Sequence, residues 1–314
     1  MTSSQLLIEI APARLSVARH TGKGLQPVAM HELTLEDWNQ MWLAGSDALG
    51  TQLSSLIDEA SCRGASATVY YHSPTVACGL FSCPQQVRDF STAARLALTD
   101  LAGFDLAENA WALQPLLRDR SGEAKRRHIV LGADKEPVIK AISAAAAQAG
   151  LRSPRIVPME AALLAWSVDR SISNSAGSQP IVFVHFGQSR SLIVAACNRR
   201  LLLARQVDFG TDRLLEALAG TLAGAADKPN TSLARSVLFE HGLPKYGETL
   251  TIADQQLRAA DILPAIQPVL QRMLVEIRQS VRFGLTGTSS EQPLVFLSGS
   301  GASIQGLSSA FATE

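Results

Sequence analysis

Residues 183–212 read FVHFGQSRSLIVAACNRRLLLARQVDFGTD. Ile181–Phe186, Ser191–Cys197 and Leu201–Val207 are three apolar runs, separated by turn signals at Gly187 and at Asn198-Arg199. Such runs, bounded by tight turns, predict three consecutive strands. Gly210-Thr211-Asp212 then opens a helix over Arg213–Ala223, with Asp212 placed to cap exposed N–H groups. The unit is strand, strand, strand, helix.

The same unit stands at the start of the chain. Leu6–Ile10 and Arg14–Arg19 flank a turn at Ala11-Pro12, Thr21-Gly-Lys-Gly24 turns again, and Gln26–Leu33 follows as a third strand. Trp38–Cys62 carries Leu49, Leu53, Leu56 and Ile57 at helical spacing and ends near Arg63-Gly64. A unit that recurs in two halves signals internal duplication. Between the copies, Thr68–His72 reads as a strand and Val76–Ser82 as another. Pro84–Ala102 reads as a helix, and Ala110–Leu117 and His128–Ala133 as paired strands around the charged loop Arg118–Arg127. Lys135–Gly150 is an alanine-rich helix with a left-handed stop at Gly150, and Arg155–Val157 leads into a helix at Met159–Ser167. The polar stretch Ser167–Pro180 reads as a linker. The expected organisation is a first lobe at 1–73 and 157–179, an α+β insertion at 74–156, and a second lobe at 180–314.

In the second half, Ser232–His241 reads as a helix closed by Gly242. Ile262–Leu285 is a long amphipathic helix with Pro264 and Pro268 in its first turns. Leu294–Leu297 reads as a buried strand running into Ser298-Gly-Ser-Gly-Ala302, with a helix at Ser303–Leu307. Glycines at such a turn let backbone approach a ligand, and a helix start offers unpaired N–H donors. The same residues also serve a plain tight turn.

Bulk properties restrict the function. At 314 residues the length suits two lobes, and 46% hydrophobic residues suffice for sizeable cores. The 28 basic residues equal the 28 acidic ones, so no net field favours nucleic acid or an anionic membrane. The N-terminal stretch lacks signal-peptide character, with Glu9 inside its apolar run. No window reaches the ~18 apolar residues of a membrane helix, which predicts a cytoplasmic protein without direct membrane insertion. Cys62, Cys78, Cys83 and Cys197 form no CxxC and no zinc spacing, and read as buried, reduced thiols.

The order of the hairpin at 183–212, the long helix and the motif PLVFLSGSGASIQGL (293–307) resembles the second lobe of actin-like ATPases. IEIAPARLSVAR (8–19) resembles the equivalent first-lobe hairpin. Arg205–Asp212, LVEIRQSVRFG (274–284) and HIVLGADKEPVIKAISAAAAQAGLRSPRIVPMEAALLAW (128–166) resemble the PilM family of type IV pilus assembly proteins, in the FtsA/PilM branch. The pattern also fits the cytoplasmic domain of GspL-type secretion platforms. The resemblance implies an α/β class and a two-lobed, ribonuclease H-like fold with an α+β insertion in the first lobe. It implies ATP or ADP in contact with Glu9, Gly187, Gly210, Gly299 and Gly301. The family continues through a further helix and strand, so the chain is expected to be short or truncated at its end.

The departures bear on catalysis. The family carries Asp-x-Gly in each hairpin, where the carboxylate holds a magnesium-bound water. Here the places are Glu9-Ile10-Ala11, followed by Pro12, which has no N–H, and His185-Phe186-Gly187. Magnesium prefers hard oxygen ligands, and an imidazole is not one. The expectation is therefore weak nucleotide binding or none, no magnesium site, no catalytic residue and no turnover. Plainer readings stand beside each residue: Glu9 as a hydrogen-bonded strand-end carboxylate, His185 as a satisfied core histidine, and Lys125-Arg126-Arg127 as a solvated loop. Ser189 and Ser191 have no hydrolase elbow. By resemblance the chain is a cytoplasmic assembly platform recruited to the inner membrane. There it would hold the cytoplasmic peptide of a PilN-like membrane protein near Thr68–Cys83 and 128–157, with self-association possible. The alternatives are an active ATPase or kinase of the superfamily, or an FtsA-like filament protein.

Overall fold

The computed structural model describes residues 5–11, 14–43, 47–73, 75–84, 86–108, 110–115, 126–174, 179–198, 200–223, 230–252, 255–286 and 292–312. Pro12 and residues 118–125 of the loop expected at Arg118–Arg127 lie outside them, as do the side chains of Arg126 and Arg127. The chain divides into two compact units, Met1–Ala165 and Trp166–Glu314.

In the first unit, β1 (Gln5–Ala11), β2 (Arg14–Thr21) and β3 (Gly24–Glu32) form an antiparallel meander. Alternation decides which face is core: Ile8 and Ile10 pair with Val17 and Leu15, and all four are buried. Helix α1 (Leu35–Met41) is capped reciprocally by Thr34 and Asp37, and α2 (Ala48–Glu59) packs Leu49, Leu53, Leu56 and Ile57 on that face. The single helix expected over Trp38–Cys62 is therefore two. β4 (Ser66–Tyr71) runs parallel to β1.

The insertion follows: β5 (Ala77–Pro84), α3 (Phe90–Ala102), β6 (Trp111–Pro115) and β7 (Arg126–Ala133). They form a three-stranded sheet in the order β5-β7-β6 over a separate core of Ala94, Leu98, Ile129 and Leu131. Helix α3 starts at Phe90 rather than Pro84, because Asp89 accepts the Thr92 N–H and sets the cap there. The insertion is smaller than the expected 74–156. Helix α4 (Glu136–Gln148) buries Ile142, Ala145 and Ala146 in the main core with α2, and β8 (Arg152–Pro158) extends the main sheet beside β4. Gly150 takes φ +73° after α4, where the left-handed stop was expected.

Helix α5 (Met159–Asn174) continues through most of the stretch expected as a linker, because Val168 and Ser171 are fully buried and hold it. In the second unit β9 (Ile181–Phe186), β10 (Ser191–Cys197) and β11 (Arg200–Val207) form the antiparallel meander expected over 181–207. Helices α6 (Thr211–Thr221) and α7 (Thr231–Ser236) follow, the latter ending in a π turn at Val237–His241. A hairpin of β12 (Thr249–Ile252) and β13 (Gln255–Arg258), absent from the sequence reading, precedes α8 (Ala259–Gly284). Helix α8 buries Ile262, Ile266, Leu270, Met273 and Ile277 along one stripe. It starts earlier than expected, so Pro264 and Pro268 stand inside it, on the exposed side where water can reach the carbonyls they leave unpaired.

β14 (Leu294–Ser298) pairs parallel with β9. The sheets read β3-β2-β1-β4-β8 and β11-β10-β9-β14. Each is a meander whose first strand takes a parallel fourth, which is the duplication seen in the sequence. β14 is an edge strand rather than a buried one, with Leu294, Val295 and Phe296 each 40–50% exposed. After it, Ser300–Ser303 is a 3-10 turn, Gly306 takes φ +85°, and α9 (Leu307–Ala312) begins only there. None of the four cysteines is in a disulfide and all are buried. Among the described residues no helix is long and apolar enough to cross a membrane.

Candidate functional site

In the first hairpin, strand pairing sets Glu9 opposite Ser16, with Arg14 two residues further along β2 on the same face. The Arg14 guanidinium donates to Glu9 Oε2 at 2.9 Å, and the Ser16 hydroxyl donates to the same oxygen at 3.1 Å. One carboxylate oxygen thus carries two local bonds. A cation placed at that oxygen would have to displace an arginine.

In the second hairpin, His185 stands next to the end of β9 with its Nδ1 3.1 Å from Ser298 Oγ on β14. Gly187 and Gly210 are close-approach glycines: Thr211 N donates to Gly187 O at 3.1 Å, and Asp212 N to Gln188 O at 2.9 Å. A Cβ on Gly210 would overlap the Gln188 carbonyl. The first N–H groups of α6 are therefore spent on the hairpin's own carbonyls, and the donors that would grip phosphate are taken. Asp212 adds a carboxylate at the same place, held by the Ser189 hydroxyl at 3.0 Å. Burial pushes its carboxyl above the ordinary value, with hydrogen bonds from Ser189 and Gln188 pulling the other way. Ser191 Oγ donates to Phe209 O at 2.6 Å, so neither serine is an idle nucleophile.

The glycine turn closes on β9. Gly299 takes φ +85°, and a Cβ there would come within 2.5 Å of Phe186 O. A Cβ on Gly301 would lie inside the Phe186 ring, which is buried and stacked on Phe209 at 5.8 Å between centroids. Ser300 Oγ donates to Phe186 O at 3.4 Å and lies 3.2 Å from Thr211 Oγ1. Both glycines are demanded by the protein's own packing. The helix start expected after the turn is absent, because the 3-10 turn and Gly306 intervene. Among the described residues no three His, Cys, Asp or Glu side chains converge as metal ligands would.

A second constellation lies within the first unit, where the insertion meets the main sheet. Gly132 of β7 faces Pro158 and Ala161, where a Cβ would make a tight contact at 3.3 Å from the Ala161 methyl. Beside it, Asp134 is 1% exposed; its Oδ1 accepts the Lys135 N–H at 2.8 Å and the Thr75 hydroxyl. His72 Nδ1 lies 3.1 Å from Glu160 Oε1. Among the described residues, Asp134 Oδ2, Glu160 Oε2 and the Tyr71 hydroxyl are buried with no hydrogen bond of good geometry, although the phenol and the Asp134 carboxylate are near enough to interact. Burial first, then the charges of Asp134 and Glu160, push the Tyr71 phenol well above its usual range. Sequence reasoning missed this group, since residues 71, 134 and 160 meet only through sheet topology. The available signal was an Asp directly after a buried strand.

The phenol sets a test. A folded pKa above the unfolded ~10 means its contribution is complete below that pH and is lost as pH rises beyond it. Tyr71→Phe is expected to stay within ~1 kcal/mol of wild type, or gain, in urea melts at pH 7, because the hydroxyl removed makes no well-formed hydrogen bond among the described residues. It should also lose less stability between pH ~9 and ~11 than wild type does. A loss above ~2 kcal/mol at pH 7 would show instead that the hydroxyl is bonded.

No family model and no curated protein matches the chain. Solved structures do. It is similar to a chain of the PilM–PilN type IV pilus biogenesis complex at 17% identity, over 99% of this chain and 85% of that one, with a TM-score of 0.70. It is similar to MreB 5 of Spiroplasma citri bound to AMPPNP at 12% identity, over 100% and 89% of the two chains, with a TM-score of 0.54. The ADP-bound form of that protein gives 11%, 99%, 90% and 0.52. With the duplicated sheets and the inserted α+β module, these likenesses establish the PilM-like, actin-like ATPase fold for this chain.

Proposed function

We propose that the chain is an assembly platform of a type IV pilus or related secretion machine. In this reading it holds a cytoplasmic peptide of a PilN-like inner-membrane protein and is recruited to the membrane through it. The likeness to the PilM–PilN complex carries the proposal. The insertion supports it physically. Among the described residues β5 and β6 are the outer strands of its sheet, and edge strands take extended peptides by main-chain pairing.

The residues at the nucleotide places do not fit a magnesium-bound triphosphate. Glu9 is tied to Arg14 and Ser16, His185 stands where a carboxylate is needed, and the α6 donors are spent. Phosphoryl transfer needs metal ligation and free donors for the phosphates, so the fold is used here without turnover. Isothermal titration with ATP and magnesium should give weak heats or none, and phosphate release should equal the buffer blank. Magnesium-dependent turnover that Glu9→Ala removes would overturn this part of the reading.

A further inference from the structure

An open groove of about 630 Å³ lies within the second unit, between the end of β11, the start of α6 and the middle of α8. That volume falls in the ~300–1,000 Å³ range of ligand sites. Its apolar lining comes from Val207, Phe209, Pro268 and Val269, and three guanidiniums enter it, from Arg205, Arg213 and Arg272. The two acids of the lining are already committed. Glu276 stands four residues after Arg272 on α8, the usual spacing for a helical ion pair, yet it reaches across to Arg205 at 3.3 Å. Ser280 Oγ accepts a further bond from Arg205 at 3.0 Å, which holds that side chain in place. Asp208 turns to Arg190 at 3.2 Å. Arg272 is left exposed, with no ion pair or hydrogen bond among the described residues. Arg213 meets only Glu216, through a pair whose side chains are 63% and 66% exposed, which holds it weakly.

We infer that this groove binds an acidic peptide segment, with carboxylates on Arg272 and Arg213 and methylenes on the Val207–Phe209 and Pro268–Val269 walls. Guanidinium forks match carboxylate oxygens two at a time, and the apolar walls suit side-chain stems. A bare phosphate fits less well, since it would look for backbone donors. The N–H groups of Thr211, Asp212 and Arg213 are bonded to Gly187, Gln188 and Gly210 carbonyls. The site is contained in the second unit and does not depend on the peptide-capture reading above.

The test uses the full chain and a fluorescein-labelled hexaglutamate peptide, with hexalysine as the control, read by anisotropy. Hexaglutamate should bind and hexalysine should not. Arg272→Glu and Arg213→Glu should each weaken binding by about tenfold or more, and raising salt from about 0.05 M to about 0.5 M should weaken it too. Arg278→Glu, the same charge change on α8 outside the groove, should leave binding within about twofold. All three arginines are exposed, so thermal melts should match wild type. Hexaglutamate binding no tighter than hexalysine, or an equal loss in Arg278→Glu, would overturn the inference. Displacement by millimolar inorganic phosphate would reassign the groove to small anions and overturn the peptide assignment.

Discussion

Gly301→Ala should destabilise the protein by about 2–4 kcal/mol in denaturant melts, although nothing need be bound at the turn. The new Cβ would occupy the Phe186 ring, and that ring has nowhere to go because it is stacked on Phe209 inside the second unit's core. Gly299→Ala should cost about as much for a different reason. At φ +85° an L side chain is strained, and the atom it would press on is a backbone carbonyl fixed by the β9–β14 ladder. The two effects separate in a double-mutant cycle. Phe186→Ala alone should cost ~3–5 kcal/mol, and markedly less in the Gly301→Ala background because the cavity accepts the methyl. It should give no relief to Gly299→Ala. Full additivity in the first pair would mean that the turn is not packed on Phe186.

The halves of the fold were legible because their signal is local. Alternation at Leu15 and Val17 and apolar runs at 181–207, punctuated by Gly187 and Asn198, specify meanders without tertiary knowledge. The limit of the insertion was not legible. Ala145 and Ala146 read the same whether α4 covers the small sheet or the large one, and only the core they enter tells. Thr249–Ile252 and Gln255–Arg258 are too short for periodicity to distinguish from loop. At the site, the substitutions of Glu9 and His185 were visible directly. What the glycines do was not, since ligand approach and self-packing both demand a missing Cβ, and the Phe186 ring decides only in three dimensions. The Tyr71–Asp134–Glu160 group draws on three distant segments, which no window along the chain could join.

The largest functional effect should come from removing the insertion sheet, and strand register shows where to cut. Ala77 and Ala133 stand opposite each other in the β5–β7 pair, so their Cα atoms are about 4.5–5.5 Å apart. A two-residue glycine turn can therefore replace 78–132. The excised core of Leu98, Ile129 and Leu131 is distinct from the main core of Ile8, Leu53 and Ala146, which keeps its helices α2 and α4 and its strand β8. A longer cut to residue 156 would remove α4 and part of β8 and unfold the unit. The excised variant should retain a cooperative melt and lose partner capture by at least about a hundredfold, ~2.7 kcal/mol. The deciding measurement is the affinity of the full chain and of this variant for the cytoplasmic peptide of a PilN-like inner-membrane protein, by fluorescence anisotropy. The account predicts saturable binding by the full chain and none by the folded variant. Equal binding by both, or no binding by the full chain, would contradict it.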